Sequence, residues 1–352
     1  MDAYEILKRC GEGHTPTVDE MEILLANDDP EFLNELYRTA AKVRDEHFGN
    51  KVFTYGFVYF STYCKNNCAF CYYRRSNKID RYRKTKAEVL DLAARLKKAG
   101  VNMVDLTMGE DPKLYENDYE GLIDLVQGVR ETVGDLGIMV SPGAVSKSCM
   151  PRLRAAGADW LAVYQETYNK ELFSKLRLEQ DYQNRIDQRV WAREAGLLTE
   201  DGMLVGTGET ARDRAEHIKI MGDLGCQQVR AMTFVPQEGT PMQAVIPSDP
   251  MYELKAIAVM RLAYPDKLIP ASLDVEGIAG LKTRLDAGAN VITSIVPPNE
   301  ELAGVANPTL DINDGHRSVS YVHHLVESMG KHVASNEEFR QFMEANRPEA
   351  VY

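Results

Sequence analysis

Three cysteines, Cys64, Cys68 and Cys71, stand in a C-x3-C-x2-C spacing within YFSTYCKNNCAFCYY, residues 59–73. Thiolates this close together call for a metal, and soft sulfur ligands select zinc or an iron–sulfur cluster. A structural zinc site takes four ligands, usually as two close pairs. Here there are three cysteines, and the nearest histidine is His47. On a four-iron cluster, three cysteines leave one iron without a protein ligand, a place where a substrate or cofactor can bind. Simple electron storage would use four. The triplet therefore points to chemistry at an open iron, with a zinc knuckle or three reduced structural thiols as the plainer alternatives.

Such a loop has to be held by rigid elements. Val52–Phe60 is β-rich and mostly apolar, as a strand buried on both faces should be, and the cysteines follow its C-terminal end. Strand and helix signals then alternate. Strands are predicted over Met103–Met108, Gly137–Val140, Trp160–Tyr164, Gly202–Val205, Gln228–Phe234, Leu268–Leu273 and Asn290–Val296. Helices are predicted over Lys86–Gly100, Tyr119–Val133, Ser146–Ala156, Tyr182–Glu194, Thr210–Leu224, Met251–Tyr264, Ile278–Ala287 and Gly315–Met329. Strict alternation gives parallel strands with right-handed crossovers, and eight repeats close most simply into a barrel. The expected fold class is α/β, a (β/α)8 TIM barrel over 51–330. An N-terminal helical extension over 1–50 should close one end of the core, and a C-terminal helical tail follows over 331–352. No Pro-, Gly- or Ser-rich linker divides the chain.

In a barrel, functional groups gather at the C-terminal ends of the strands. Those ends carry the cysteine loop, Gly109-Glu110, Ser141, Glu166, Gly206, Ser272 and Asp274, while Arg230 lies within its strand and could point inward. Charges in a barrel interior need partners, because an unpaired buried charge is costly. A structural Arg–Asp pair is the alternative to a functional one. After the cysteines, Arg74, Arg75, Lys78, Arg81, Arg83, Lys84 and Lys86 form a basic run. It reads as a solvated linker or as a dock for an acidic electron donor.

The cysteine spacing on a loop after a strand resembles that of the radical S-adenosylmethionine (SAM) enzymes. The resemblance implies a [4Fe–4S] cluster on Cys64, Cys68 and Cys71 whose open iron takes the amino and carboxylate groups of SAM, and reductive cleavage of SAM to a 5′-deoxyadenosyl radical. It implies SAM-binding roles for Phe70, for Gly109 and Glu110 (a GGE-type motif with Met108 in place of its first glycine), for Ser141, for Glu166 and Arg177, and for Gly206 near the adenine. FSTYC, VDLTMGEDP, YQETY, MTFVPQEGTP, IPASLDVEG and TSIVPP are similar to stretches of the methylornithine synthase family of pyrrolysine biosynthesis, and carry the resemblance over nearly the whole chain. That family stands with the biotin synthases and hydrogenase maturases. The implied reaction is isomerisation of L-lysine to (3R)-3-methyl-D-ornithine, through hydrogen abstraction at C4, fragmentation and recombination. Asp105, Arg230, Ser272 and Asp274 would contact the amino acid. Residue chemistry agrees: Arg suits a carboxylate, and the acids suit ammonium groups. The implied electron donor is a reduced flavodoxin- or ferredoxin-like protein.

Other readings are weaker. Sulfur insertion, as in biotin synthase, needs a sulfur source, commonly a second cluster, and the chain has no second cysteine group. A maturase would differ in whether the barrel takes a free diamino acid. A non-catalytic electron carrier would not need an open iron. With a net charge of −12 over 352 residues, a general nucleic-acid surface is not expected. The first residues, MDAYEILKRC, lack the apolar core of a secretion signal, and no run is apolar enough to span a bilayer. Cys10, Cys149 and Cys226 are isolated and read as small buried residues rather than disulfide partners. His14 and His47 read as ordinary packing residues, and the expected compartment is the cytoplasm.

Overall fold

Eight parallel strands wind around one axis in the computed structural model, which describes residues 2–297 and 304–351. They are β1 (Lys51–Ser61), β2 (Met103–Met108), β3 (Gly137–Ser141), β4 (Trp160–Ala162), β5 (Leu198–Val205), β6 (Gln228–Thr233), β7 (Pro270–Ser272) and β8 (Val291–Ile295). Their order is β6-β5-β4-β3-β2-β1-β8-β7, which is the expected (β/α)8 barrel with one seam. At the seam, among the described residues, β6 is joined by one parallel bridge, Gln228 to Leu268, which lies just before β7. Farther up, side chains take over. Thr233 donates to Glu253 Oε2 from its N–H (2.8 Å) and its hydroxyl (2.6 Å). Arg284 Nε donates to Glu253 Oε1 at 2.6 Å, and Arg284 Nη1 to Glu276 Oε2 at 2.8 Å. Glu276 ends the short helix Leu273–Glu276 after β7. Glu253 and Arg284 are fully buried, and mutual pairing is what makes two such charges tolerable there.

Local chemistry sets the boundaries. Thr85 and Glu88 form a reciprocal capping box that starts the helix Lys86–Ala99, and Gly100 at φ +97° stops it. Three boundaries differ from expectation in ways that matter for the interior. β4 stops at Ala162, because Glu166 adopts φ +66° and rejoins β5 through its own N–H to Gly202 O (3.1 Å). β5 starts at Leu198 rather than Gly202, which turns Glu200 and Asp201 from loop residues into wall residues. β7 shrinks to three residues, because the Ser272 hydroxyl accepts the Asp274 N–H (3.2 Å) and caps a helix. An additional helix, Lys170–Leu176, is capped by Asn169 and delivers Arg177 at its end. The helices expected over Ser146–Ala156 and Ile278–Ala287 are shorter, Cys149–Ala155 and, after a 3-10 turn, Leu281–Asp286. Pro298, the last residue of TSIVPP, lies outside the described residues.

The N-terminal helices Ala3–Gly11, Val18–Ala26 and Pro30–Phe48 do not close an end of the core. They pack on the outer flank against the helices Ala211–Asp223 and Met251–Ala263, and Phe48, at their end, reaches the floor. The floor itself is filled by the helix Asn336–Asn346. Its Phe339 stacks on Trp160 of β4 (6.5 Å between ring centroids) and meets Phe53 of β1 (5.5 Å), with Met343 beside them. Buried aromatic rings of this kind carry a large share of packing energy. Phe339→Ala is therefore expected to lower stability by about 3–5 kcal/mol, read as the shift of a urea unfolding transition. A change of under about 1 kcal/mol, the size of an ordinary surface substitution, would mean that this helix does not hold the floor.

Candidate active site

A cavity of about 250 Å³ opens at the C-terminal ends of the strands and runs from the cysteine loop to Asp274. The loop leaves β1 and is pressed onto Gly109. The Gly109 N–H donates to Ser61 O (2.8 Å), and a Cβ at this position would lie 2.3 Å from Tyr63 O. Glycine is thus required by the close approach of the loop. Both backbone groups of Gly109 are engaged within the protein, since its carbonyl also accepts the Asp111 N–H at 2.7 Å. Arg81 stitches the loop from inside by donating to the carbonyls of Thr62, Tyr73, Arg74 and Asn77. Arg83 pairs with the buried Asp111, which also accepts from Ser61 Oγ at 2.6 Å.

Cys64, Cys68 and Cys71 are free thiols lining the cavity. Burial raises the proton affinity of Cys64 and Cys71, and the neighbouring thiols raise Cys71 further. Held as thiolates, the three need a cationic centre among them. Among the described residues, no three His, Cys, Asp or Glu side chains converge on a single ion. Gln180 Nε2 donates to Cys68 Sγ at 3.0 Å, Arg177 Nη1 at 3.6 Å, and the Asn66 N–H donates to Cys64 Sγ at 3.4 Å. Such donors fit a buried, electron-rich sulfur centre.

Beside the loop sit two carboxylates and two guanidinium groups. Glu166 pairs with Arg177, whose guanidinium lies over the Phe70 ring at 5.3 Å. Glu110 accepts from the Ala144 N–H at 3.0 Å and from Arg185 at 3.4 Å, and lies 3.4 Å from Lys65 Nζ. Arg185 also donates to Tyr164 O at 2.6 Å. Burial, then the neighbouring Arg177, lowers the Arg185 guanidinium to about 10. Two crowded, buried cations suit a ligand carboxylate. Arg177 Nε has no partner among the described residues. Gly206 is not part of this wall: at φ +89° it turns the chain, and a Cβ there would lie 2.3 Å from Ser248 Oγ.

Deeper in the barrel a second group forms. Arg230 Nε donates to Glu200 Oε1 at 2.6 Å, Nη2 to the Tyr55 hydroxyl, and Nη1 to Thr293 Oγ1 at 3.4 Å. Asp105 accepts from Thr107 (2.9 Å) and from Ser141 (3.0 Å), so Ser141 is committed to this group. Burial first, then Glu200, raises the Asp105 carboxyl to about 7. Across the cavity, Asp274 Oδ2 accepts the N–H groups of Val305 (2.8 Å) and Ala306 (2.9 Å), while Oδ1 makes no hydrogen bond among the described residues and lies 3.9 Å from Arg317 Nη1. Burial raises this carboxyl as well. Ser272 caps the Asp274 turn and lies 3.5 Å from Ser294 Oγ. Ser294 has φ +64° at a bulge of β8 against β1, an uncommon conformation found at sites where strain is tolerated.

Thirteen of the fourteen residues singled out in the sequence line this one cavity: the three cysteines, Phe70, Asp105, Gly109, Glu110, Ser141, Glu166, Arg177, Arg230, Ser272 and Asp274, with Gly206 the exception. Glu200, Arg185, Tyr55 and Tyr164 were missed. Glu200 sits in LLTEDGM, which looks like a turn. Arg185 had a usable signal, since Arg185, Gln188, Arg189 and Ala192 share one buried helical face, an odd composition for a core stripe. The basic run is largely spent on structure. Arg75, Arg83 and Lys86 pair with Glu179, Asp111 and Asp124, while Arg74 and Arg81 bond inward to Asn67 and to carbonyls.

Residues 58–221 match the model of the radical SAM superfamily. The chain is 46% identical over 328 residues to the 3-methylornithine synthase of Methanosarcina barkeri, covering 93% of each chain. It is 44% identical to the 3-methylornithine synthase of Methanosarcina acetivorans, covering 96% of this chain and 97% of the relative. A crystal structure of methylornithine synthase superposes with a TM-score of 0.91 at 44% identity, over 96% of this chain and 99% of the other. The Gly109 contact is open to a direct check. Gly109→Ala forces a methyl group against the loop carbonyl, an overpacking cost on the order of 1–3 kcal/mol, borne by the cysteine loop. The variant should take up clearly less iron on anaerobic reconstitution while its far-UV circular dichroism is unchanged. Full iron uptake would show that the loop has slack.

Proposed function

The chain belongs to the radical SAM superfamily and, within it, to the 3-methylornithine synthases, and on that premise we propose that it isomerises L-lysine to (3R)-3-methyl-D-ornithine. It is an enzyme that carries a [4Fe–4S] cluster and SAM. We assign the cluster to Cys64, Cys68 and Cys71, and SAM to the wall formed by Phe70, Gly109, Glu110, Glu166, Arg177 and Arg185. The donor chemistry fits: three buried thiols, a loop closed onto a glycine, and an unpaired guanidinium nitrogen beside them. One observation carries the substrate assignment. The chamber beneath the loop holds one guanidinium and two carboxyls of raised proton affinity, matching a molecule with one carboxylate and two ammonium groups.

When bound, the cluster and SAM would supply a 5′-deoxyadenosyl radical, the acceptor for a hydrogen atom from C4 of lysine. Breaking C2–C3 then leaves a glycyl-type radical and an aminobutene. Joining C2 to C4 builds the branched skeleton, and a hydrogen atom returned to C3 completes the methyl group. The residues of the chain hold the ends of the molecule throughout. Arg230 takes the carboxylate and one of the acids Asp105 and Asp274 the α-ammonium, so the glycyl part stays anchored; the other acid takes the ε-ammonium, so the aminobutene part stays anchored too. Ser272 keeps the Asp274 turn in place. Tethering both fragments supplies proximity for the recombination step, and the closed floor keeps water out.

We further take the electron donor to be a reduced flavodoxin- or ferredoxin-like protein and the compartment to be the cytoplasm. The six free cysteines support a reducing compartment. Among the described residues, no helix is long and apolar enough to cross a membrane. Sulfur insertion finds no support, since Cys10, Cys149 and Cys226 do not line the cavity.

The reaction is tested by anaerobic incubation of reconstituted protein with SAM, dithionite and L-lysine. The expected result is an isomer of unchanged mass and new retention time, formed alongside deoxyadenosine; deoxyadenosine with unaltered lysine would refute the substrate. The chamber also predicts a pH dependence. An ammonium pairs with ionised Asp105, which is protonated below about 7. Lysine affinity should be full above that pH and fall about tenfold per unit below it. Calorimetric titrations giving one affinity across that range would remove Asp105 from the ammonium site.

A further inference from the structure

Glu200 is a fully buried charge in the wall of the barrel, on β5. It is 0% exposed, does not line the cavity, and bonds to a residue that does, Arg230. Its Oε1 takes Arg230 Nε at 2.6 Å, and the Tyr55 hydroxyl accepts from Nη2. One side of the guanidinium is therefore fixed against the barrel wall. Nη1 is left with the weaker contacts, Thr293 Oγ1 at 3.4 Å and Met232 Sδ at 3.6 Å, and both of these residues line the cavity. A guanidinium braced on one edge presents its remaining donors in a single direction, which is how a planar fork gains specificity for a carboxylate.

We propose that Glu200 is a positioning residue: it holds Arg230 so that Nη1 faces the carboxylate of the amino-acid substrate, and its charge sets the pH at which the chamber is ready to accept an ammonium group at Asp105. The inference rests on the lysine reading above. The second half follows from the groups facing Asp105. Thr107 and Ser141 donate to it, Tyr55 and Tyr164 stay protonated, Arg230 attracts its charged form, and Glu200 repels it. Removing the Glu200 charge deletes the repulsion and leaves Arg230 unopposed. Both effects favour ionised Asp105, so the acid limb of lysine binding must move to lower pH.

The test compares wild type, Glu200→Gln and Tyr55→Phe, each reconstituted with its cluster, by calorimetric lysine titration across pH and by steady-state kinetics. Glu200→Gln should raise the lysine KM by about 10–100-fold, as expected for a misplaced binding group. SAM affinity and the visible spectrum of the cluster should be unchanged, and the binding midpoint should shift to lower pH. Tyr55→Phe removes the other brace without removing a charge. It should raise KM by a smaller factor and leave the midpoint in place. An unmoved midpoint in Glu200→Gln overturns the proposal, as does a loss of cluster and SAM binding together with unaltered KM in Tyr55→Phe, which would leave Glu200 a purely structural ion pair. A wild-type protein that binds no lysine takes down the substrate reading and this inference together, whereas normal wild-type binding with an unaffected Glu200→Gln removes this inference alone.

Discussion

A guanidinium inside a barrel has to be neutralised where it stands, and the interior of this one is arranged around that requirement. Arg230 is buried on β6, and its counter-charge, Glu200, comes from the neighbouring β5. The pair stays balanced only while nothing else ionises close by, so Asp105 is held partly protonated until a cation arrives. A substrate bearing a carboxylate and ammonium groups restores neutrality group by group. The same logic recurs beside the cysteine loop, where Arg177 and Arg185 face Glu166 and Glu110. In both places the polar groups are already oriented before any ligand enters, so little ordering is left for binding to supply.

The frame that holds these groups has contacts beyond the βα repeat. The floor is filled with rings from a helix outside the βα repeat. The cysteine loop is tied to its own carbonyls by Arg81 and anchored to β2 through Gly109. Two residues facing the cavity, Glu166 and Ser294, keep a left-handed backbone that costs on the order of 1–3 kcal/mol each. Both conformations are imposed by the surrounding wall, and each re-aims its segment: Glu166 toward Arg177, and Ser294 toward Ser272.

The barrel was legible in the sequence because short, mostly apolar strand signals alternate with helix signals eight times, and polar residues follow their upper ends, as Gly109-Glu110 follows Met103–Met108. The cysteine triplet was legible because its spacing has few other uses. Boundaries failed where a side chain, rather than propensity, decides them: the Ser272 cap ends β7, and the positive φ of Glu166 ends β4. Glu200 was hidden because an acidic pair reads as a turn. Only the neighbouring Arg230, across the β5–β6 ladder, gives it reason to be in a wall. The N-terminal helices were misplaced because an amphipathic pattern says which face is buried and not against what.

The seam between β6 and β7 has a consequence for selectivity of outcome. Everywhere else the wall is stitched by backbone ladders, but here a chain of side chains, Thr233, Glu253, Arg284 and Glu276, does the stitching above a single bridge. Ladder bonds break only with the strand, whereas side-chain links open by rotation. A reaction that cuts its substrate in two before rejoining it has one particular hazard, the loss of the smaller, half-apolar piece. On this side of the barrel the barrier to that loss is therefore the buried Glu253–Arg284 pair rather than a backbone ladder.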